Sequence, residues 1–160
     1  MKIEISRFTE CDIDTVHEIQ RSAFKPLYEK YCDDDLNPYK ETKEAVLEKY
    51  TRAGTVGYLF VLNGKAVGAV RIKADKTSKR GRVSALCILP QYQNLGIAQS
   101  ALLEIERMHP EVEIWSLDTI LQETGNCHLY EKIGYEKTGI SEVINERMTL
   151  VNYEKVKTNA

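Results

Sequence analysis

The chain has 160 residues, of which 42% are hydrophobic and 29% are charged, as is ordinary for a soluble globular protein. This length predicts a single domain over residues 1–160. The net charge of -2 argues against a nucleic-acid partner, and no apolar run approaches the roughly 20 residues of a membrane span. The four cysteines are scattered and the N-terminus lacks a signal-peptide core, so we expect a cytoplasmic protein without a metal site.

The spacing of apolar residues predicts one strand and two helices in the first third of the chain. Alternation over residues 2–8 predicts the strand. Helical spacing from Asp12 onward predicts an amphipathic helix, which Pro26 is expected to break or kink. Residues 27–41 show no period and are expected to be irregular. The second helix is predicted over residues 42–52, with Thr42 as its N-cap.

The rest of the chain predicts strands joined by a hairpin and by two helices. The strands are expected at residues 58–62, 65–73, 81–89, 113–118, 135–138 and 146–153. The pair Asn63-Gly64 is the strongest short signal of a β-hairpin. One helix is expected after Gly96 and a shorter one from Thr124 to Gly134. The order β-α-α-β-β-β-α-β-α-β-β predicts an α+β (mixed α/β) protein with a right-handed β-α-β crossover.

A strand, a turn and a helix meet within residues 86–103. The apolar run Leu86–Leu89 suits a buried strand, and Pro90 ends it. Gly96 then precedes an apolar helical stripe. The first amides of a helix have no internal partner and lie at the positive end of the helix dipole. Because a phosphate can accept hydrogen bonds from such amides, this turn is a candidate anion site.

The order Gln93-x-x-Gly96-x-Ala98 after a strand resembles motif A of the GCN5-related N-acetyltransferase (GNAT) family. In that family, the amides of this turn hold the pyrophosphate of acetyl-CoA. The element order is also that of the GNAT fold, and the resemblance extends from residue 3 to about residue 153. It implies a mostly antiparallel mixed sheet of six to seven strands, with helices on both faces.

The segment Asn126–Tyr135 resembles GNAT motif B, in which Asn precedes Leu/Phe-Tyr-Glu-Lys-x-Gly-Phe/Tyr. Tyr130 follows Asn126 by one helical turn, so both lie on one face, while Leu129 and Ile133 are expected in the core. The resemblance implies that two strands splay apart around the pantetheine arm of acetyl-CoA, which leaves as CoA. The residues expected to bind this cofactor are Leu86, Cys87, Ile88, Gln93, Asn94, Leu95, Gly96, Ile97, Ala98, Gln99, Ser100, Asn126 and Tyr130.

The resemblance also implies direct attack of an amine on the thioester, without a covalent protein intermediate. Tyr130 is expected to protonate the departing thiolate, because a phenol of pKa ~10 and a thiol of pKa ~8.5 are close in acidity. Some GNAT members carry a glutamate base on the strand before motif A, where this chain has Ser84. Asp118, Glu123 and a water chain therefore stay open as the general base.

A cysteine nucleophile is not expected. Cys127 and His128 are neighbours on a predicted helix, about 100° apart, so they do not form a catalytic dyad. Cys87 lies in the buried strand and is expected to act as a small hydrophobic residue.

The region 22–41 is expected to cover the acetyl end of the cleft and to select the acceptor. Substrate contacts are predicted for Phe24, Tyr28, Tyr31 and Asp33, because aromatic rings and acidic groups suit a cationic amine. The alternative is a solvated acidic loop with aromatic residues packed beneath it.

The favoured function is transfer of an acetyl group from acetyl-CoA to a primary amine of a small or polyamine-like molecule. A protein N-terminus or lysine as the acceptor, and a non-catalytic acyl-CoA-binding module, are the alternatives. We expect no nucleic-acid or membrane partner, and either a monomer or a homodimer. The sequence leaves the acceptor, the base and the exact acyl group open.

Overall fold

A computed structural model describes residues 2–157 of the chain. Its strands and α-helices follow the predicted order. They are β1 (Glu4–Arg7), α1 (Ile13–Tyr31), α2 (Lys43–Thr51), β2 (Thr55–Leu62), β3 (Lys65–Asp75), β4 (Arg80–Ile88), α3 (Ile97–Met108), β5 (Ile114–Ile120), α4 (Thr124–Lys132), β6 (Glu136–Asn145) and β7 (Met148–Val156).

All seven strands belong to one sheet of order β1-β2-β3-β4-β5-β7-β6. Neighbouring strands are antiparallel except β4 and β5, which are parallel and connected through α3. This is the predicted mixed sheet with a central β-α-β crossover, and the α+β prediction is confirmed. The turn between β4 and α3, where the candidate anion site was predicted, is therefore the first part of the crossover that connects the two parallel strands.

The β2–β3 hairpin has the predicted turn. Asn63 and Gly64 adopt positive φ values of 52° and 79°, and Leu62 pairs with Lys65 across them. Two consecutive positive φ values define a type I′ turn, whose twist matches that of the flanking strands.

Helices cover both faces of the sheet, as predicted. Alternation along β2 sends Phe60 into a cluster with α3 and α4, and the neighbouring Leu59 into a cluster with α1 and α2. Each cluster is apolar and buried, and β4 contributes Val83 to the first and Cys87 to the second. The strand that carries the candidate site is thus held from both sides.

The expected break at Pro26 is wrong, because α1 continues through it to Tyr31. Proline removes one N–H donor from the helix, but the turns on both sides are packed: Ala23 and Tyr31 are buried. The helix ends where Cys32 adopts a left-handed φ of 52° and donates its N–H to the Tyr28 carbonyl at 2.7 Å. Residues 27–31, predicted irregular, are therefore helical.

Strand β6 runs to Asn145, beyond the predicted end at Thr138. The pairing with β7 shifts between Lys137 and Ser141, and Gly139 in this shift has a φ of 92°. Such a bulge interrupts the alternation by which a strand is recognised in a sequence.

Candidate active site

Strands β4 and β5 separate after a short paired stretch. Hydrogen-bonded pairing joins Arg80–Arg82 to Ile114–Ser116, and the described chain shows no further pairing between the two strands beyond it. Residues 83–88 therefore turn backbone N–H and C=O groups toward a gap instead of a neighbouring strand. A cleft of about 560 Å³ lies along this end of β4.

A β-bulge in β4 lies just beyond the point where β4 and β5 separate. The register with β3 passes from Arg71–Ser84 to Ala69–Cys87, so β4 carries one extra residue. Ala85 in this bulge has a φ of 51°, which is unusual for a residue with a side chain. A bulge bends its strand and changes the direction of the residues after it. The next three residues, 86–88, all line the cleft.

The turn between β4 and α3 presents backbone amides. Asn94 and Gly96 have φ values of 62° and 81°, and no side chain caps the N-terminus of α3. The N–H groups of residues 94–99 find no acceptor among residues 2–157. A Cβ atom on Gly96 would meet nothing within 4 Å, so the space before this helix is open. The turn thus fits an anion such as a diphosphate.

Helix α4 forms the opposite wall of the cleft. Glu123 at its N-cap, Asn126 and Tyr130 are spaced i, i+3 and i+7, and all three line the cleft. Leu129 also lines it, so the expectation that Leu129 belongs to the core is wrong. Cys127 packs into the core instead, because it lies on the side of α4 that faces the sheet.

Tyr130 is partly buried beside Tyr135, with ring centroids 5.9 Å apart. No hydrogen bond to its hydroxyl group is found among the described residues. Burial, followed by the proximity of Cys127, raises the pKa of the Tyr130 phenol above its usual value. The hydroxyl therefore stays protonated at neutral pH and can donate a hydrogen bond or a proton into the cleft.

The thiol groups of the two buried cysteines, Cys87 and Cys127, lie next to backbone carbonyl groups. Cys87 donates a long hydrogen bond from Sγ to the Ala69 carbonyl at 3.6 Å, and burial raises the pKa of its thiol to about 12. Sγ of Cys127 lies 3.7 Å from the Ile120 carbonyl oxygen. The Cys87 thiol therefore stays protonated at neutral pH, and a protonated thiol is a poor nucleophile.

Asp118 does not line the cleft. It forms an ion pair with Arg82 at 2.8 Å and accepts a hydrogen bond from Asn152 Nδ2 at 3.0 Å. Partial burial acts to raise the pKa of this carboxyl, but the bonds from Arg82 and Asn152 bring the pKa below its usual value. Asp118 is thus a paired carboxylate of low basicity.

The predicted substrate residues separate into two groups. Phe24 lines the cleft, together with its α1 neighbours Ala23, Pro26 and Leu27. Tyr28, Tyr31 and Asp33 do not. The Tyr28 hydroxyl donates to Asp34 at 2.5 Å, and Asp33 is 5% exposed and accepts from the Leu36 N–H at 3.2 Å. These two residues organise the connection between α1 and α2.

Most predicted cofactor residues come together around this one cleft. Those that line it are Leu86, Cys87, Ile88, Gln93, Asn94, Gly96, Ile97, Ala98, Gln99, Asn126 and Tyr130. Leu95 and Ser100 do not line it, and Leu95 is 50% exposed. Further lining residues that the sequence analysis did not assign to the cleft are Ala23, Pro26, Leu27, Tyr92, Gly125, His128 and Lys132. Gly125, His128 and Lys132 are spaced i, i+3 and i+7 on α4, so they form a second stripe beside that of Asn126 and Tyr130, which the motif alone did not indicate.

A family model described as the acetyltransferase (GNAT) family matches residues 13–135. The chain therefore belongs to the GNAT family, whose members are acetyl-CoA-dependent N-acetyltransferases. A curated relative, the uncharacterized protein YrkN of Bacillus subtilis (strain 168), is 25% identical over 147 residues, which are 91% of this chain and 77% of that protein.

Solved structures share the fold over nearly the whole chain. The PaiA N-acetyltransferase from Thermoplasma acidophilum, in complex with coenzyme A, has a TM-score of 0.79 at 19% identity, covering 98% of this chain and 100% of its own. The ribosomal-protein-S18-alanine N-acetyltransferase from Escherichia coli has a TM-score of 0.78 at 13% identity, with coverage of 99% and 96%. The spermidine N-acetyltransferase from Vibrio cholerae, in complex with CoA and spermine, has a TM-score of 0.77 at 14% identity, with coverage of 96% and 95%.

Two further expectations concern membrane spans and metal sites. No helix among residues 2–157 has the length and apolarity needed to cross a membrane. The same residues contain no group of three or more His, Cys, Asp or Glu side chains placed to hold a metal ion.

Proposed function

We propose that this protein transfers the acetyl group of acetyl-CoA to the primary amine of a small cationic molecule. The observation that carries the proposal is the parting of β4 and β5, with free amides of residues 94–99 and the Tyr130 phenol around one cleft. The amides suit the diphosphate, and the unpaired edge of β4 suits the amide groups of the pantetheine arm. Acetyl-CoA supplies an activated thioester.

The proposed role of Tyr130 is to hold and deliver one proton. Its raised pKa keeps the phenol protonated, so it can protonate a thiolate as the carbon–sulfur bond breaks. The proposed stabiliser of negative charge on the thioester oxygen is a backbone N–H of the β4 segment near Ile88, which lines the cleft. The attacking amine must be neutral, and among residues 2–157 the one carboxylate that lines the cleft, that of Glu123, is paired with Lys30 and has a lowered pKa. We therefore assign that proton to solvent water.

Hydrogen bonds between the elements beside the cleft favour a small acceptor. The carboxylate of Glu123 accepts hydrogen bonds from Lys30 Nζ at 2.7 Å and from the Tyr31 hydroxyl at 2.5 Å, so the C-terminal turn of α1 is tied to the start of α4. Asn145 Nδ2 donates to the Tyr31 carbonyl at 3.0 Å, which adds the β6–β7 turn. These bonds join α1, α4 and the end of β6 into one connected wall beside the cleft, which supports a small acceptor. The spermidine and the ribosomal-protein-S18-alanine N-acetyltransferases share this fold at similar TM-scores, so the preference for a small amine rests on the cleft and not on the fold.

A screen of amines tests the proposal by the release of the free CoA thiol. Small diamines and polyamines are incubated with acetyl-CoA and the full chain, and peptides with free N-termini or lysines represent the alternative acceptors. Acetylation of small amines with little acetylation of peptides is expected. Efficient acetylation of peptides alone would favour the protein-directed alternative, and binding of acetyl-CoA without acetylation of any amine would favour a non-catalytic module.

A further inference from the structure

Glu123 is the one acidic side chain that lines the cleft in the part of the chain the structure describes. It lies at the N-cap of α4 but makes no side-chain cap. Both of its partners, Lys30 Nζ and the Tyr31 hydroxyl, donate to the same oxygen, Oε2. The other oxygen, Oε1, accepts no hydrogen bond from residues 2–157. A carboxylate offers acceptor sites on both oxygens, so half of this group is free to bind a ligand.

Oε1 is better suited to bind a cation than to remove a proton. Partial burial acts to raise the pKa of the Glu123 carboxyl, but the hydrogen bonds from Lys30 and Tyr31 outweigh it and lower the pKa. An alkylamine has a pKa of about 10.4, so an ammonium group next to this carboxylate stays charged. A charged ammonium cannot attack the thioester. A cation held by Glu123 is therefore an amine other than the one that reacts.

We propose that Oε1 of Glu123 binds a second, non-reacting ammonium group of the acceptor, so that the cleft selects diamines and polyamines over monoamines. This inference rests on the proposed function, and it adds the residue that determines specificity. Glu123 and Tyr130 lie on one face of α4, about 10 Å apart along the helix axis. Side chains on a helix tilt toward its N-terminus, which brings the Tyr130 hydroxyl toward Glu123. The proposed acetylation centre and ammonium site are then separated by a short alkyl chain.

Lys30 competes for the same carboxylate in this arrangement. Its side chain is 58% exposed, against 22% for Glu123, so Lys30 can turn to solvent when a ligand ammonium arrives. Removal of Lys30 should therefore strengthen binding of a diamine. A purely structural role for the Lys30–Glu123 pair predicts the opposite, because either substitution would loosen the contact between α1 and α4.

The test compares putrescine with butylamine, which has the same chain length and one amine. Binding to the CoA-loaded protein is measured by calorimetry, and acetylation is measured by CoA release. The wild-type protein should bind putrescine more tightly than butylamine. In Glu123→Gln, the ratio of the butylamine Kd to the putrescine Kd should fall by at least about tenfold, while the KM for acetyl-CoA stays nearly unchanged. Lys30→Met should raise the preference instead.

The outcomes separate this inference from the proposed function. Equal binding of both amines by the wild-type protein, or a preference that survives Glu123→Gln, would overturn the inference and leave acetyl transfer standing. A decrease in preference in both Glu123→Gln and Lys30→Met would assign the pair a structural role and also overturn it. Putrescine that binds through Glu123 and is never acetylated, with no other amine acetylated either, would overturn the proposed function alone.

Discussion

Gln93 donates a hydrogen bond from Nε2 to the carbonyl oxygen of Ile88 at 2.9 Å. This bond joins the amide-rich turn before α3 to the end of β4, where the thioester is proposed to lie. The two residues are five apart in sequence, with Pro90 between them. The Gln93 side chain therefore stabilises the turn, and its backbone leads into the free amides of residues 94–99.

Gln93→Ala should weaken CoA binding, because the turn loses its link to β4 and the amides are less well ordered. A side-chain hydrogen bond contributes about 1 kcal/mol, so a several-fold increase in the Kd for CoA is expected. Gln91→Ala is the matched control, since Gln91 is exposed and does not line the cleft. Calorimetric Kd values that are equal for the two variants would contradict this role.

Gly96→Glu should abolish detectable CoA binding. The new side chain would enter the open space before α3 and place a negative charge where the diphosphate is proposed to bind. A residue with a side chain also costs about 1 kcal/mol at a φ of 81°. Gly139→Glu is the control, because Gly139 has a φ of 92°, open space around it and no place in the cleft. Both variants should lose similar stability on chemical denaturation, and only Gly96→Glu should lose CoA binding.

Tyr130→Phe should lower kcat by about a hundredfold and leave the Kd for CoA nearly unchanged, since general acids typically contribute 10²–10⁴-fold. Tyr135→Phe is the control: the Tyr135 hydroxyl is buried without a hydrogen-bond partner, so its removal should not lower kcat. Steady-state rates and calorimetry separate the two effects. Equal rates for Tyr130→Phe and the wild-type protein would remove Tyr130 from the chemistry.

The raised pKa of Tyr130 also predicts a pH dependence. The active form is the protonated phenol, and burial moves its ionisation to higher pH. The kcat should therefore not fall as pH rises through ~10, the usual pKa of tyrosine. Loss of the acid should begin only above that pH. A decline in kcat centred below pH ~10 that disappears in Tyr130→Phe would contradict the assigned environment.

Gly68→Ala should destabilise the fold, because a Cβ there would lie 2.7 Å from the Cys87 carbonyl oxygen and 2.7 Å from Ile88 Cδ1. Overpacking of this kind costs about 1–3 kcal/mol, and here it pushes on the part of β4 that lines the cleft. Gly125→Ala is the contrast, since it lies in α4 with nothing within 4 Å of the added atom. Alanine in that helix should add about 0.5–1 kcal/mol to the free energy of unfolding. Urea denaturation measures both changes.

The order of the elements could be predicted because it depends on local signals, whereas the cofactor cleft was expected from the resemblance of two motifs to those of the GNAT family. Asn63-Gly64 strongly favours a hairpin, and the spacing of Gly96 and Ala98 after an apolar run marks a turn before a helix. Tyr130 and Asn126 could be placed on one wall because they are one helical turn apart.

Contacts between distant segments could not be predicted in the same way. Pro26 gave a misleading local signal, since the helix around it is held by packing against the sheet. Tyr31 and Glu123 are 92 residues apart, and nothing in the sequence joins them. The partner of Asp118 is Arg82 on the neighbouring parallel strand, so its pairing depends on a register that the sequence does not encode locally.

The most direct test of the account measures CoA release from acetyl-CoA with putrescine, in the wild-type protein, Tyr130→Phe and Gly96→Glu. The account predicts amine-dependent release and acetylated putrescine with the wild-type protein, a strongly reduced rate with Tyr130→Phe at unchanged CoA affinity, and no release with Gly96→Glu. Equal rates in all three proteins, or release that does not depend on any amine, would contradict an acetyltransferase whose centre is the cleft between β4 and β5.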